Sequence, residues 1–201
     1  MGSLSFGATP TLPARPEACS KDERSMTPRP RRDAPQVRLY SATPETPLLI
    51  RTYEPRDRNT VWALHREGDI VTTSQYSDVD PEHEDDLRRL EDEYLSAGSC
   101  FWVAEIDGRV VGMTAIHRID AETARLRRMR VTAARRRLGI AQRLLETAEQ
   151  FCRDYGYRRM ILDTTEQQTA AHRLYERAGF VRTGERTLGP FRIFDYRKEL
   201  A

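Results

Sequence analysis

Between Arg135 and Ala141 the chain reads Arg-Arg-Arg-Leu-Gly-Ile-Ala, and an apolar helical pattern begins at once. Guanidinium groups, a glycine and a helix start make an anion site. The first amides of a helix have no intrahelical acceptor, and the helix dipole leaves roughly half a positive charge at that end. A phosphate reaches those amides only where no side chain blocks it. Gly139 removes the Cβ at that point, and Ala141 is the next smallest choice that keeps helix propensity. Arg136 and Arg137 add mobile positive charge around a polyanion. A solvated basic turn has the same composition, so the turn needs context.

Such a site needs a strand to deliver the chain and a helix to receive it. "ARLRRMRVT" reads as the strand, with Leu126, Arg128 and Arg130 on one face and Arg127, Met129 and Val131 on the other. After the turn, Ile140, Leu144, Leu145, Ala148, Phe151, Cys152 and Tyr155 form one apolar stripe that ends at Gly156. Upstream, "LLIRTYEP" predicts a strand ending at Pro55, and "DRNTVWALHREG" a short helix closed by Gly68. "DPEHEDDLRRLEDEYLSAG" predicts a helix capped by Asp80, with Pro81 in its first turn, acids at its positive end and Gly98 as its stop. Leu87, Leu90, Tyr94 and Leu95 share a face of it. "CFWVAEID" and "RVVGMTAIHRI" flank Asp107-Gly108, a hairpin signal. Downstream come a buried strand "RRMILDTT", a helix "QTAAHRLYERAGF" with Ala171, Leu174, Tyr175 and Ala178 at helical spacing, and two closing strands. The order βαα-βββ-αβ-αββ is that of a mixed α/β domain with one crossover helix.

Bulk properties exclude several classes. With 201 residues, 38% hydrophobic and 32% charged, the composition supports one core. A formal charge of +2 means that anion binding must come from local clustering. No apolar run of ~18 residues predicts a membrane span, and the N-terminus lacks a signal-peptide core. Three unpatterned cysteines (Cys19, Cys100 and Cys152) fit free thiols in the cytoplasm, and neither they nor the four histidines have metal-ligand spacing. Residues 1–36 hold six of the eleven prolines and one aromatic, Phe6, which predicts a disordered Pro/Arg-rich tail before a domain at 37–201.

Two motifs in this context resemble the GCN5-related N-acetyltransferases, the GNAT family. Its diphosphate loop, Arg/Gln-x-x-Gly-x-Gly/Ala after a strand ending in valine, matches Arg136, Arg137, Leu138, Gly139, Ile140 and Ala141 after "RMRV". Its Asn-x-x-Ala-x-x-Leu-Tyr-x-x-x-Gly-Phe helix matches "QQTAAHRLYERAGF". The resemblance runs from about Leu48 to Leu200 and is closest to the Camello-like branch and its bacterial relatives. Walker-type and dinucleotide-binding glycine patterns are absent. The resemblance implies a central, mostly antiparallel sheet with splayed central strands flanked by helices. It implies an acetyltransferase that moves an acetyl group from acetyl-CoA, with no metal, to a primary amine of a small molecule or peptide, and it leaves room for a homodimer.

The resemblance also assigns roles. Arg136 to Ala141 hold the diphosphate of coenzyme A, the amides around Met129, Arg130 and Val131 pair with pantetheine, and one of them polarises the thioester carbonyl. Gln168 stands where the family's asparagine meets the pantetheine arm and reaches one carbon further. Arg137 replaces a frequent small residue, so its side chain must turn away from the diphosphate or toward the 3′-phosphate. Tyr175 takes the position that serves the departing thiolate; an aromatic packed beside Leu174 is its plain alternative. With ordinary pKa values of ~10 and ~8.5, full proton transfer from Tyr175 is uphill by about 2 kcal/mol, so a hydrogen bond is the expected role unless the new ammonium resupplies its proton. For a general base the candidates are Glu105, His117 and Glu122, each also readable as an ordinary strand residue, and Arg125 stands where many members carry an acid. The acids of residues 78–93, Asp85 and Asp86 among them, are either a rim that attracts a cationic amine or a solvated helix start. Two rivals stand beside the enzyme: a non-catalytic acyl-CoA sensor, and a nucleic-acid-binding module built on Arg125, Arg127, Arg128, Arg130 and Arg135 to Arg137. The second is disfavoured by near-neutral charge and the lack of interleaved aromatics.

Overall fold

Strand alternation makes the central sheet of this protein two-sided, and helices pack on both faces. A computed structural model describes residues 38–43, 46–67 and 84–200. The segment 1–36, Gly68, Asp80 and Pro81 lie outside the described residues. In chain order the elements are β1 (Arg38–Thr43), β2 (Thr46–Thr52), a 3-10 turn (Pro55–Asp57) leading into α1 (Arg58–Glu67), α2 (Asp85–Arg88), α3 (Leu90–Tyr94), β3 (Cys100–Ile106), β4 (Arg109–Arg118) and β5 (Thr123–Val131). A second 3-10 turn (Ala133–Arg135) precedes α4 (Ile140–Tyr155), followed by β6 (Arg159–Thr165), α5 (Thr169–Arg177), β7 (Val181–Leu188) and β8 (Phe191–Glu199).

The eight strands form one sheet in the order β1-β2-β3-β4-β5-β6-β8-β7. Every neighbouring pair is antiparallel except β5 and β6. A parallel pair needs a long crossover, and α4 supplies it. Trp102, Ala104 and Ile106 of β3 pack with Ile140, Leu144, Leu145 and Ala148 of α4 and with Leu174 and Tyr175 of α5. Phe101 and Val103, the alternate residues, pack with Val61 and Leu64 of α1 and with Leu87, Leu90 and Tyr94 of α2 and α3. Each fully buried leucine contributes roughly 2 kcal/mol of transfer free energy, several times the spread of helix propensity among ordinary residues. Packing therefore holds α4 in place. Among the described residues no helix is long and apolar enough to cross a membrane.

The structure departs from the sequence-based expectations at several places; Tyr155, at the end of the expected stripe of α4, is 40% exposed. An extra edge strand, β1, pairs with β2 ahead of the expected first strand. Leu39 there is 74% exposed, so no apolar alternation marked it. The expected helix through Leu95 is two short helices broken at Arg89 (φ −109°, ψ 38°), and Leu95 past the end of α3 is exposed instead of sharing the buried face. "RRMILDTT" is not buried on both sides: Met160, Leu162 and Thr164 face in, and Asp163 faces out. Most important, β5 does not keep its alternation. Met113 pairs with Arg130 and Ala115 with Arg127, so Arg128 and Met129 together oppose Thr114. This β-bulge puts Arg128 at φ 57°. Leu126 and Met129 then pack into the α4-side core, and Arg127 and Arg128 both turn to the other face.

On that face Asp86 of α2 receives the guanidinium of buried Arg128 through both carboxylate oxygens, together with the Tyr94 hydroxyl. Arg127 stands 3.6 Å away. Burial alone would raise the Asp86 pKa, but the hydrogen bonds and charge of Arg128 outweigh it and hold the carboxyl at about 2. The folded value lies below the unfolded one, so the contribution is full above the ordinary value of 3.8 and is lost as pH falls toward 2. Its size is about 2 kcal/mol. Asp86→Asn leaves Arg128 buried without its counter-charge and should lower unfolding free energy by ~3 kcal/mol. In denaturant titrations the difference between parent and variant should shrink between pH 4 and pH 2; a difference independent of pH would show that the pair does not carry the stability.

Candidate functional site

The basic turn lies where β5 delivers the chain to α4. Arg137 and Gly139 are both left-handed, at φ 63° and 77°. Leu138 between them is half-buried against the α4-side core, and Ile140 is 1% exposed, so the turn is pinned by two apolar side chains. No atom lies within 4 Å of where a Cβ on Gly139 would stand. None of the amides of residues 138–141 donates to another described residue. Left-handed residues beside open amides make a concavity that suits an anionic group. Arg136 and Arg137 are exposed, and Arg136 Nε donates to Val131 O at 3.3 Å. Arg137 carries a side chain where φ favours glycine, a strain of about 1 kcal/mol.

A gap opens beside this turn. β5 and β6 pair only at Thr123 with Arg159, Ala124 with Met160 and Arg125 with Ile161, and then part. Past Arg125 the splayed strands therefore leave β5 outside the ladder with β6; Met129 O there accepts from Arg130 Nη1 at 3.0 Å and Val131 O from Arg136 Nε at 3.3 Å. Thr132 N–H donates to Val111 O on β4 at 2.9 Å, so by strand alternation the preceding amide, that of Val131, points into the gap. Gly112 on β4 matters here: a Cβ would meet Arg130 O at 3.1 Å and Leu144 Cδ1 at 3.2 Å, so any larger residue would require the bulged strand or Leu144 of α4 to give by a few tenths of an ångström. Its position inside a strand pattern was the signal in the sequence that could have flagged it.

Tyr175 of α5 feels a charge from each of the parted strands. It is 6% exposed, packs against Phe180 and Tyr196, and interacts electrostatically with Arg130 of β5 and Asp163 of β6. Burial pushes its hydroxyl up to about 12, with Arg130 opposing and Asp163 assisting. Gln168 caps α5 from the end of β6, where the Thr164 hydroxyl donates to its Oε1 and leaves Nε2 as the free donor. Sequence reasoning did not single out Asp163. Its carboxylate is bound by Arg186, which also holds Asp195 directly across the strand pair.

The α1–α3 face separates the remaining candidates. Glu105 is engaged by Arg51, which also binds Asp57. Glu122 sits in the β4–β5 turn beside Arg158 and Arg159, at the opposite end of β5 from Val131. His117 is paired across the sheet with Arg125, level with the point where β5 and β6 part. Its Nε2 lies 3.5 Å from Glu93 Oε2, and burial, aided by Arg127, holds its pKa below the ordinary histidine value. Among the described residues, several acids of this stretch are engaged internally: Asp85 on Arg88, Asp86 on Arg128, Glu91 on Arg58 and Tyr53, Glu93 on Arg89. The buried Asp86 is thus structural and not part of a rim. Nor do the arginines form a stripe, since Arg128 is buried on Asp86 while Arg136 and Arg137 lie exposed beyond the strand.

The profile of the acetyltransferase (GNAT) family matches residues 43–180. Over 106 residues the chain is 43% identical to human N-acetyltransferase 8, covering 50% of this chain and 47% of that protein. It is 43% identical over 102 residues to N-acetylaspartate synthetase of Danio rerio, covering 50% and 36%. The chain thus spans about half or less of the length of these curated relatives. An acetyltransferase from Streptococcus agalactiae superposes with a TM-score of 0.66 at 26% identity, over 76% of this chain and 98% of that one. A Salmonella typhimurium protein solved with its cofactor acetyl-CoA has the same fold, with a TM-score of 0.63 at 19% identity over 77% and 94%.

Proposed function

The chain belongs to the acetyltransferase (GNAT) family, and on that premise we propose that it is an N-acetyltransferase that uses acetyl-CoA to acetylate a primary amine of a small molecule or peptide. The observation that carries this reading is the open turn at Gly139, with free amides at the start of α4 and a parted strand pair beside it. Named relatives add support: N-acetylaspartate synthetase indicates a small amine acceptor for that protein. Free thiols at Cys100 and Cys152 suit action in a reducing cytoplasm.

Acetyl-CoA supplies the acetyl thioester. The amides of residues 138–141 hold its diphosphate, with Arg136 and Arg137 as mobile counter-charges. Gln168 Nε2 and the β5 backbone at Met129, Arg130 and Val131, beyond the ladder with β6, orient the pantetheine arm, and the Val131 amide polarises the thioester carbonyl. Tyr175 acts on the departing sulfur. With its pKa at about 12, full proton transfer to a thiolate of pKa ~8.5 would be uphill by roughly 5 kcal/mol. Its hydroxyl therefore donates a hydrogen bond and keeps its proton. The acceptor must shed a proton before attack. His117, neutral at pH 7, takes it through water, and Glu93 steadies the resulting charge.

Release of free thiol from acetyl-CoA across a panel of primary amines tests the activity; binding without turnover of any amine would leave an acyl-CoA sensor. Gly139→Glu should place a carboxylate against the diphosphate and weaken acetyl-CoA binding at least ~100-fold. Unchanged calorimetric affinity would remove the turn from the site. Tyr175→Phe should reduce kcat ~10- to 100-fold with little change in acetyl-CoA affinity, and equal turnover would demote Tyr175 to packing. The kcat/KM profile should show an acid limb below pH 6.5, where His117 becomes protonated. His117→Gln should abolish that limb and lower the rate ~100-fold; a limb left in place would acquit His117.

A further inference from the structure

The turn that receives the anion is held from the opposite face of the sheet. α4 packs on one face and α1 on the other, yet Glu67, the last residue of α1, reaches the chain just beyond the end of β5. The Thr132 hydroxyl lies 2.8 and 2.9 Å from its two carboxylate oxygens, and the Ala133 amide donates to Oε1 at 2.6 Å. Among the described residues these are the only hydrogen bonds between α1 and residues 132–139. Thr132 is bound on its other side by Val111 O, and Arg135 and Arg136 donate to Thr132 O and Ala133 O. One carboxylate thus fixes the first link of a chain of bonds that runs to Arg135 and Arg136, where the basic turn begins.

We propose that Glu67 is a positioning residue for coenzyme binding: by clamping Thr132 and Ala133 it presets the turn at Arg136–Ala141 for the diphosphate. This rests on the acetyl-CoA reading of that turn. The clamp acts as an anion at all physiological pH, because the Ala133 amide and Thr132 hydroxyl hold the Glu67 carboxyl below the usual glutamate range. A carboxylate this near the turn also attracts Arg136, a charge that bound diphosphate would compete for. Two effects therefore oppose each other. Preorganisation favours the coenzyme, and like charge disfavours it. Glu67 lies on an exposed surface, where water and salt screen the repulsion, whereas its hydrogen bonds are direct. Positioning is therefore the larger effect.

Glu67→Ala removes both acceptors; Glu67→Gln loses the charge but keeps a carbonyl oxygen for the Ala133 amide. Titration calorimetry of the full-length variants with CoA should give an affinity about tenfold weaker for Ala and within about threefold of the parent for Gln. The KM of the acceptor should stay unchanged in both, which a general loss of fold would not allow. Equal CoA affinity in parent and Ala variant, or tighter binding by either variant, would overturn the clamp. Should the parent itself fail to bind CoA, the coenzyme reading falls, and amide hydrogen exchange tests the clamp without ligand. Exchange at Arg135 and Arg136 should be about tenfold faster in Glu67→Ala, and unchanged exchange there would dismiss it.

Discussion

A sheet that stops pairing in its own middle leaves backbone donors and acceptors outside the strand ladder, and this protein is arranged around such a break. β5 and β6 share three residue pairs and then diverge. Buried unpaired amides are expensive, so a gap of this kind persists only if solvent or a ligand meets it and if the flanking elements hold it open. On one side β5 is bound along its length to β4. On the other, β6 is bound along its length to β8. The strands cannot close on each other without breaking the ladders on their outer sides. The gap is thus a property of the sheet and not of a flexible loop.

The bulge in β5 follows from the same constraint. A regular strand would alternate Arg127 and Arg128 between faces and bury a guanidinium against the apolar α4 stripe. The left-handed Arg128 turns both arginines to the α1–α3 side, where Asp86 and Tyr94 satisfy the buried one, and returns Met129 and Val131 to the core. The strained conformation costs about 1–2 kcal/mol, less than an unpaired buried charge would. The electrostatics of α2 and the geometry of the strand edge are therefore one problem with one solution.

The candidate groups come from different elements. The turn into α4 gathers positive charge and open amides, α5 carries a hydroxyl with a raised pKa, and β4 carries an imidazole with a lowered pKa at the level where β5 and β6 part. Each of these groups is set by packing on a different face. Tyr175 owes its pKa to the core it shares with Phe180 and Tyr196, and His117 owes its to burial among Arg127, Tyr94 and Glu93.

The sequence by itself determined the elements whose signals are local. The stripe of Ile140, Leu144, Leu145 and Ala148, the Asp107-Gly108 hairpin and the glycine at the mouth of α4 act through neighbours in the chain, and all three stand where their spacing put them. The family pattern was likewise legible, because the open turn needs its residues in order. The tertiary structure alone decided the rest. Whether Asp86 faces solvent or an arginine depends on a strand 42 residues away, and helix amphipathicity does not encode that. The bulge reads as ordinary alternation until β4 supplies a register that one residue must leave. Glu67 looks like a solvated helix end until β5 terminates beside it. Local periodicity depends on the geometry of one element; a charge's partner depends on which elements meet, and that is fixed only when the whole sheet has formed.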